Sequence, residues 1–269
     1  MALTIETRDT WVTTPRGRMF ARTWQSRGEG AERREVIPVV LFHDSLGSVE
    51  LWRSFPENLC LATGRSVIAY DRLGFGKSDP FRGDWSTGFI REEARTFFPA
   101  LREQLGIESF IAMGHSVGGA MAALCAAAFP SECRALVTES AQAFVEDRTL
   151  QGIREAKSAF QQEGQLDRLA KYHGDKARWV LDAWTETWLS PEFQAWNLDA
   201  DLSTVVCPAL ILHGEKDEYG SVHHPMRLAE AITGETQVEI LPGYRHIPHK
   251  ESEATIIELI RSFLTRAIR

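Results

Sequence analysis

A serine held between two glycines, in Gly114-His115-Ser116-Val117-Gly118, is the stretch of this chain best suited to covalent chemistry. An apolar run, Phe110-Ile111-Ala112-Met113, leads into it, and the small residues Ala120 to Ala128 lead out of it. That succession predicts a strand, a sharp turn and a helix, the setting in which a G-x-S-x-G turn projects a serine hydroxyl above a sheet edge. Gly114 and Gly118 suit the tight crossing because a Cβ at either place would crowd it. The first N–H groups of the following helix, Val117 among them, have no acceptor within the helix and can face a developing negative charge.

A serine hydroxyl is a weak nucleophile until a base takes its proton and an acid orients that base. In this architecture the acid and the base are expected after the serine, in that order. Asp217 follows the run Ala209-Leu210-Ile211-Leu212-His213, and His246 follows Gln237-Val238-Glu239-Ile240-Leu241. Both stand at strand ends on the sheet edge expected for Ser116. Glu139, at the end of Ala135–Ser140, competes with Asp217 as the acid, and His249 competes with His246 as the base. Glu218 is expected to point elsewhere. A metal site built from His246, His249 and Glu251 lacks a second cluster of ligands, so no metal and no cofactor is expected.

The elements that must position these groups are legible around them. Thr10–Thr13 and Met19–Trp24 flank Thr14-Pro15-Arg16-Gly17, which predicts a β-hairpin over residues 3–25. Residues 26–35, with Gly28 and Gly30, read as an exposed loop. The apolar run Val36–Phe42 predicts a strand buried on both faces. It opens into His43-Asp44-Ser45-Leu46-Gly47-Ser48, where the backbone N–H of Ser45 is the candidate for a second oxyanion donor, with His43 a structural hydrogen-bonder. Trp52, Phe55, Leu59 and Leu61 suggest a helix, with Pro56 at its start. Ser66–Tyr70 is the next strand and runs into Asp71-Arg72-Leu73-Gly74-Phe75-Gly76-Lys77-Ser78. The Gly-Lys-Ser end of that stretch is not a phosphate loop, because Asp71 stands where its first glycine would be.

Ile90, Ala94, Phe97, Phe98, Leu101 and Leu105 recur at helical spacing, as do Ile256, Ile257, Ile260, Phe263, Leu264 and Ile268 in a closing helix. Between residues 141 and 200 strands vanish, charges rise, and Trp184, Trp188 and Trp196 appear. This predicts a helical cap over 141–200, inserted after the sixth strand into a core made of 1–140 and 201–269. Leu46, His115, Phe144, Trp184 and Trp188 are the candidates for lining a substrate site.

With 269 residues, 43% of them hydrophobic, the chain suits one large α/β domain with an insertion. A net charge of -7 without a basic cluster argues against a nucleic-acid partner. No leader pattern follows Met1, and no apolar run nears the ~20 residues that span a bilayer, so a cytoplasmic protein that does not enter membranes is expected. Cys60, Cys125, Cys133 and Cys207 form no C-x-x-C pair and read as reduced, buried thiols, with Cys133 the most exposed of the four.

At His43–Gly47, Asp71–Ser78, Gly114–Gly119, His213–Asp217 and Arg245-His246-Ile247-Pro248-His249 the chain resembles the α/β-hydrolase superfamily, and the resemblance runs over essentially its whole length. Within that superfamily it is similar to the biphenyl hydrolase-like (valacyclovir hydrolase) branch and its bacterial relatives. The segments Gly152-Ile153-Arg154-Glu155-Ala156 and Trp188-Leu189-Ser190-Pro191-Glu192-Phe193 look similar to that branch too. The resemblance implies a mostly parallel eight-stranded sheet with a helical lid. It also implies Ser116 as nucleophile, Asp217 as acid, His246 as base, and Ser45 and Val117 as oxyanion donors.

Two positions depart from the branch. Val117 stands where an aspartate often follows the nucleophile and reads a substrate amino group, and Arg245 stands where glycine is common. Val117 is expected to offer the acyl pocket an apolar wall, favouring neutral over α-amino acyl groups. The reading is therefore a serine hydrolase acting on a small-molecule ester through an acyl-enzyme, with a homodimer left open. Lactonase, amidase, C–C hydrolase and perhydrolase reactions would run on the same three residues. A hydrolase-fold receptor that binds a ligand without turnover is the alternative of a different class.

Overall fold

The computed structural model describes residues 4–27 and 36–268. Eight strands form one sheet in the order β1-β2-β4-β3-β5-β6-β7-β8. They are β1 (Thr4–Thr14), β2 (Gly17–Arg27), β3 (Val39–Phe42), β4 (Val67–Tyr70), β5 (Phe110–His115), β6 (Cys133–Glu139), β7 (Ala209–Gly214) and β8 (Thr236–Leu241). β1 and β2 make the predicted hairpin, and β2 meets β4 antiparallel; every pairing from β4 to β8 is parallel. The hairpin strand runs on to Arg27, two residues further than its apolar pattern suggests, and the expected loop lies from residue 28 to 35 outside the described residues. β3 starts at Val39 rather than Val36. Pro38 has no N–H to give to a sheet ladder, and Val36 is exposed.

The helices are α1 (Phe55–Thr63), α2 (Phe89–Glu92), α3 (Phe98–Leu105), α4 (Val117–Ala128), α5 (Asp147–Ala159), α6 (Gln165–His173), α7 (Ala177–Leu189), α8 (Asp199–Leu202), α9 (His223–Ala231), α10 (Pro248–Glu251) and α11 (Glu253–Ala267). A π-helical turn, Glu93–Phe97, joins α2 to α3. Strand side chains alternate between two apolar layers, as their period of two requires. Val39, Leu41, Val67, Ile111, Met113, Val137 and Leu210 pack with α1 and α11. Val40, Phe42, Tyr70, Ala112 and Leu136 pack on the opposite face with α3 and α4. Cys133, expected to be exposed, is buried at the start of β6. Its side chain faces that second layer, and its sulfur lies 3.8 Å from that of Cys207, while of its charged neighbours Arg134 is exposed and Glu132 half-buried.

Between β6 and β7 lie α5 to α8 and two short 3₁₀ turns. The two ends of this segment meet. Phe144 and Asn197 form an isolated β-bridge, and the Leu198 N–H donates to the carbonyl of Ala143 at 2.9 Å. Leu169, Val180 and Leu181 bury their side chains against Phe75 from the core, and Trp179 stacks on Phe81 at 5.6 Å. The segment is thus pinned at its feet and packed on the loop after β4.

Candidate active site

Ser116 occupies the turn between β5 and α4 with φ 56° and ψ −127°, a left-handed conformation unfavourable for a residue with a Cβ. Neighbours that lack side chains hold it there. A Cβ on Gly114 would lie 2.0 Å from the carbonyl oxygen of Gly118, and one on Gly118 would lie 2.1 Å from that of Phe42. The Ser116 N–H donates to the Glu139 carbonyl at 2.9 Å, which ties the turn to β6. Such a conformation costs ~1–3 kcal/mol, which the surrounding packing must offset.

The hydroxyl of Ser116 lies 3.1 Å from Nε2 of His246, and Nδ1 of His246 lies 2.8 and 2.9 Å from the two carboxylate oxygens of Asp217. With a proton on Nδ1 donated to Asp217, Nε2 is left as the acceptor for the serine proton. Burial acts to raise the Asp217 carboxyl. His246 and the N–H groups of Tyr219 (2.7 Å) and Gly220 (3.1 Å) outweigh it, and hold the group ionised below its ordinary range. The arrangement can move a proton off Ser116 and stabilise the imidazolium that results.

The competing acid and base pair with each other. Nδ1 of His249 lies 2.6 Å from one oxygen of Glu139, and the His249 N–H donates to the other at 2.6 Å. Burial acts to raise Glu139, but His249 lowers it further. Glu218 does not reach the ring of His246. It accepts the backbone N–H of that residue at 3.2 Å, and its other oxygen meets Arg245 at 3.6 Å. Arg245 is therefore an exposed partner of Glu218.

The loop after β3 supplies the other wall. Asp44 accepts the Leu46 N–H at 2.9 Å, turning the chain so that Ser45 borders the cavity beside Ser116. His115 joins this loop to that of His246: its Nδ1 lies 3.3 Å from Asp44 Oδ2, and its Nε2 donates to the His246 carbonyl at 2.8 Å. Both ring nitrogens face acceptors, which requires both to carry protons. Burial works against that charge, yet the Asp44 hydrogen bond prevails and the imidazole is raised above its ordinary value. Asp44, despite its own desolvation, is held well below the carboxylate range. His43 is a structural hydrogen-bonder: Nδ1 donates to the Asp44 carbonyl at 2.8 Å, and Nε2 accepts the Arg72 N–H at 3.1 Å.

The Gly-Lys-Ser stretch is also structural. The Asp71 carboxylate accepts the N–H groups of Val49 (2.6 Å) and Lys77 (2.7 Å), filling the space a phosphate would need.

Ser116 opens into a cavity of about 330 Å³. Of the five expected lining residues, Leu46, His115, Trp184 and Trp188 border it, and Phe144 does not. Phe144 turns away to stack on His224 at 4.4 Å, beneath the guanidinium of Arg227 at 4.7 Å, because its backbone is committed to the bridge with Asn197. The Val117 side chain, expected to face the acyl pocket, is buried in the core at 1% exposure and is absent from the cavity wall. Its backbone N–H, the first of α4, remains beside Ser116 as a candidate donor.

Three residues of the site carry no sequence signal. Gln142 places Oε1 3.3 Å from the Ser116 hydroxyl. Tyr219 borders the cavity with its ring 4.7 Å from that of His246. His173, on α6, donates from Nε2 to the Leu46 carbonyl at 3.0 Å and accepts the Gly76 N–H at 2.9 Å, clamping the inserted segment to the Asp44–Leu46 loop. Among the described residues no three His, Cys, Asp or Glu side chains gather as a metal site, and no helix is long and apolar enough to cross a membrane.

Residues 37–164 match the family described as alpha/beta hydrolase fold. Serine hydrolase BPHL of Mus musculus is 28% identical over 204 residues, 74% of this chain and 69% of that protein. Two solved structures share the fold across almost the whole chain. A proline iminopeptidase of Mycobacterium smegmatis has a TM-score of 0.68 at 20% identity, covering 97% of this chain and 98% of that one. A 2-hydroxy-6-oxo-6-phenylhexa-2,4-dienoate hydrolase of Rhodococcus has a TM-score of 0.75 at 16% identity, covering 97% of this chain and 100% of that one. The chain therefore has the α/β-hydrolase fold, and in sequence it resembles the serine hydrolases of the BPHL branch.

Proposed function

We propose that this enzyme hydrolyses a small-molecule carboxylic ester through an acyl-enzyme on Ser116. The observation that carries the reading is the continuous chain Ser116–His246–Asp217, at 3.1 and 2.8 Å, on the wall of a cavity large enough for a small organic substrate. The Ser116 oxygen attacks the ester carbonyl while Nε2 of His246 takes its proton, and Asp217 stabilises the imidazolium. The N–H groups of Val117 and Ser45 receive the tetrahedral oxyanion. His246 then returns the proton to the departing alcohol, and water, deprotonated by His246, attacks the acyl-enzyme and releases the acid.

An ester suits this set of groups because its alkoxide leaves with one proton from one base. Residues 141–200 act as a cap, since Trp184, Trp188 and the face of α6 close the cavity over Ser116. Four free, buried cysteines suit a reducing compartment, and we place the enzyme in the cytoplasm.

Ser116→Ala tests the reading. On a series of p-nitrophenyl esters the variant loses at least ~10³-fold in kcat while unfolding like the wild type, and a fluorophosphonate probe labels the wild type at Ser116 alone. Wild-type turnover by a folded Ser116→Ala protein would end the proposal. A folded wild type that neither turns over esters nor takes the probe would favour a ligand receptor.

A further inference from the structure

We propose that the cavity selects an anionic ester, one whose acyl or alcohol part carries a carboxylate received by Arg168 and Lys250. The inference rests on the reading of Ser116 as nucleophile and narrows its substrate. The two cations reach the cavity from different elements, Arg168 from α6 and Lys250 from α10. On α6 the cavity-lining residues are Gln165, Arg168, Leu169 and Tyr172, spaced as one helical face, so Arg168 lies on the inward side of that helix.

Among the described residues neither cation has a side-chain hydrogen bond or an ion pair, as is also true of Arg154 and Lys171, whereas Lys157 pairs with Glu186 and Arg178 with Asp182. The one carboxylate on the wall, Asp44, is occupied by His115 and the Leu46 N–H. A chain of net charge -7 thus lines this cavity with two cations free of hydrogen-bonded partners, Lys250 acting only at longer range on Asp44, and with no other carboxylate among the described residues.

The neutral polar groups on the wall do not set the sign, since Gln142, Gln165, Tyr172 and Tyr219 can each accept as well as donate. Trp188 borders the cavity, and its buried indole N–H finds no acceptor among the described residues. An indole can only donate, but this N–H has no surface open to the cavity, so Trp188 contributes an apolar wall and no ligand contact. An ester bearing an α-ammonium would meet the repulsion of Arg168 and Lys250, whereas a carboxylate would meet their attraction. Both cations are exposed at the rim, so water and salt screen them and the selectivity is moderate and salt-dependent.

The experiment compares kcat/KM within two matched pairs. p-Nitrophenyl butyrate against mono-p-nitrophenyl glutarate places the carboxylate on the acyl side; phenyl acetate against 4-acetoxybenzoate places it on the leaving group. At low salt one pair shows an anionic-over-neutral preference of about tenfold, which shrinks at high salt. Arg168→Gln and Lys250→Gln each lower that ratio, and the double variant brings it to about unity. Equal or greater activity on the neutral member of both pairs, or a ratio unmoved in the double variant, overturns the inference while leaving the ester reading intact.

If no ester of either kind is turned over, the nucleophile reading fails. Tryptophan fluorescence titrated with glutarate then tests the cavity by itself. Binding that weakens in the double variant supports it, and glutarate binding that is absent or identical in the two proteins refutes it.

Discussion

Gly118→Ala is the substitution whose effect the geometry fixes most tightly. The added Cβ would sit 2.1 Å from the Phe42 carbonyl oxygen and 2.6 Å from that of His43, both backbone atoms at the end of β3. Relief to the 3.0–3.4 Å that close contacts tolerate needs about 1 Å of separation between α4 and β3. No flexible side chain can absorb it. The movement parts the Val117 N–H, on α4, from the Ser45 N–H, on the loop that continues β3.

Overpacking of this kind costs ~1–3 kcal/mol of stability. A 1 Å misplacement of groups that must converge on one oxyanion costs roughly 10²-fold in rate. The expected protein is therefore folded, with kcat on a p-nitrophenyl ester down roughly a hundredfold and KM changed little, since donors to the oxyanion act mainly in the transition state. Gly88→Ala is the control, because a Cβ there meets only Ser86 Oγ at 3.4 Å. Stopped-flow hydrolysis and urea unfolding of the two variants decide the matter. Wild-type kcat in a stably folded Gly118→Ala protein would refute the placement of the oxyanion site between β3 and α4.

Two further outcomes follow from pairs of buried groups. His246→Ala is expected to abolish ester turnover. His249→Ala is expected to retain most of it at temperatures where it stays folded, but to lose ~3–5 kcal/mol of unfolding free energy because Glu139 is left buried without its partner. The reverse pattern in kinetics and urea melts would exchange the roles of the two histidines. Glu93, buried and accepting the Tyr70 hydroxyl at 2.7 Å, is pushed up by burial to about 7 from an ordinary 4.5. Between those values the folded chain keeps a proton that the unfolded chain has released. This contribution is greatest below pH 4.5 and is lost as pH rises towards 7, by about 3 kcal/mol. Urea midpoints measured from pH 5 to 8 should fall less steeply for Glu93→Gln than for wild type, and parallel curves would contradict the assignment.

The sequence made the backbone of the site readable because strong local constraints write themselves into residue type. A crossing that leaves 2.0 Å for a Cβ admits only glycine at 114, and a doubly buried strand such as β3 must be apolar throughout. The order Ser116, Asp217, His246 could be followed along strand ends for the same reason. Where two residues of one type share a sheet edge, the pattern is silent. Glu139 and His249 sit as near the expected positions as Asp217 and His246 do, and their mutual pairing depends on packing 110 residues apart in the chain. Apolarity alone does not say which side Phe144 and Val117 face, because an apolar side chain satisfies a core and a pocket equally well. His173 gave no sign of itself, since its partners Gly76 and Leu46 lie 97 and 127 residues away.

The hydrogen-bonded feet of the inserted segment have a consequence for how such an enzyme can diverge. The excursion departs at Ala143, past the end of β6, and returns at Leu198, before β7, and those two residues bond to each other directly. The β6–β7 junction is therefore closed whatever hangs from it. Lengthening or shortening the parts of the excursion that make no core contact then costs only a loop entropy that grows slowly with length. Ser116, Asp217 and His246 all lie outside the excursion, whereas Trp184, Trp188 and Arg168 lie within it. Exchange of the excursion between homologues would rewrite which molecules are admitted while the reactive side chains stay, provided that Arg148, Thr149 and His173, which brace the Asp217 and Leu46 loops, are kept, so specificity and reactivity can evolve on separate clocks.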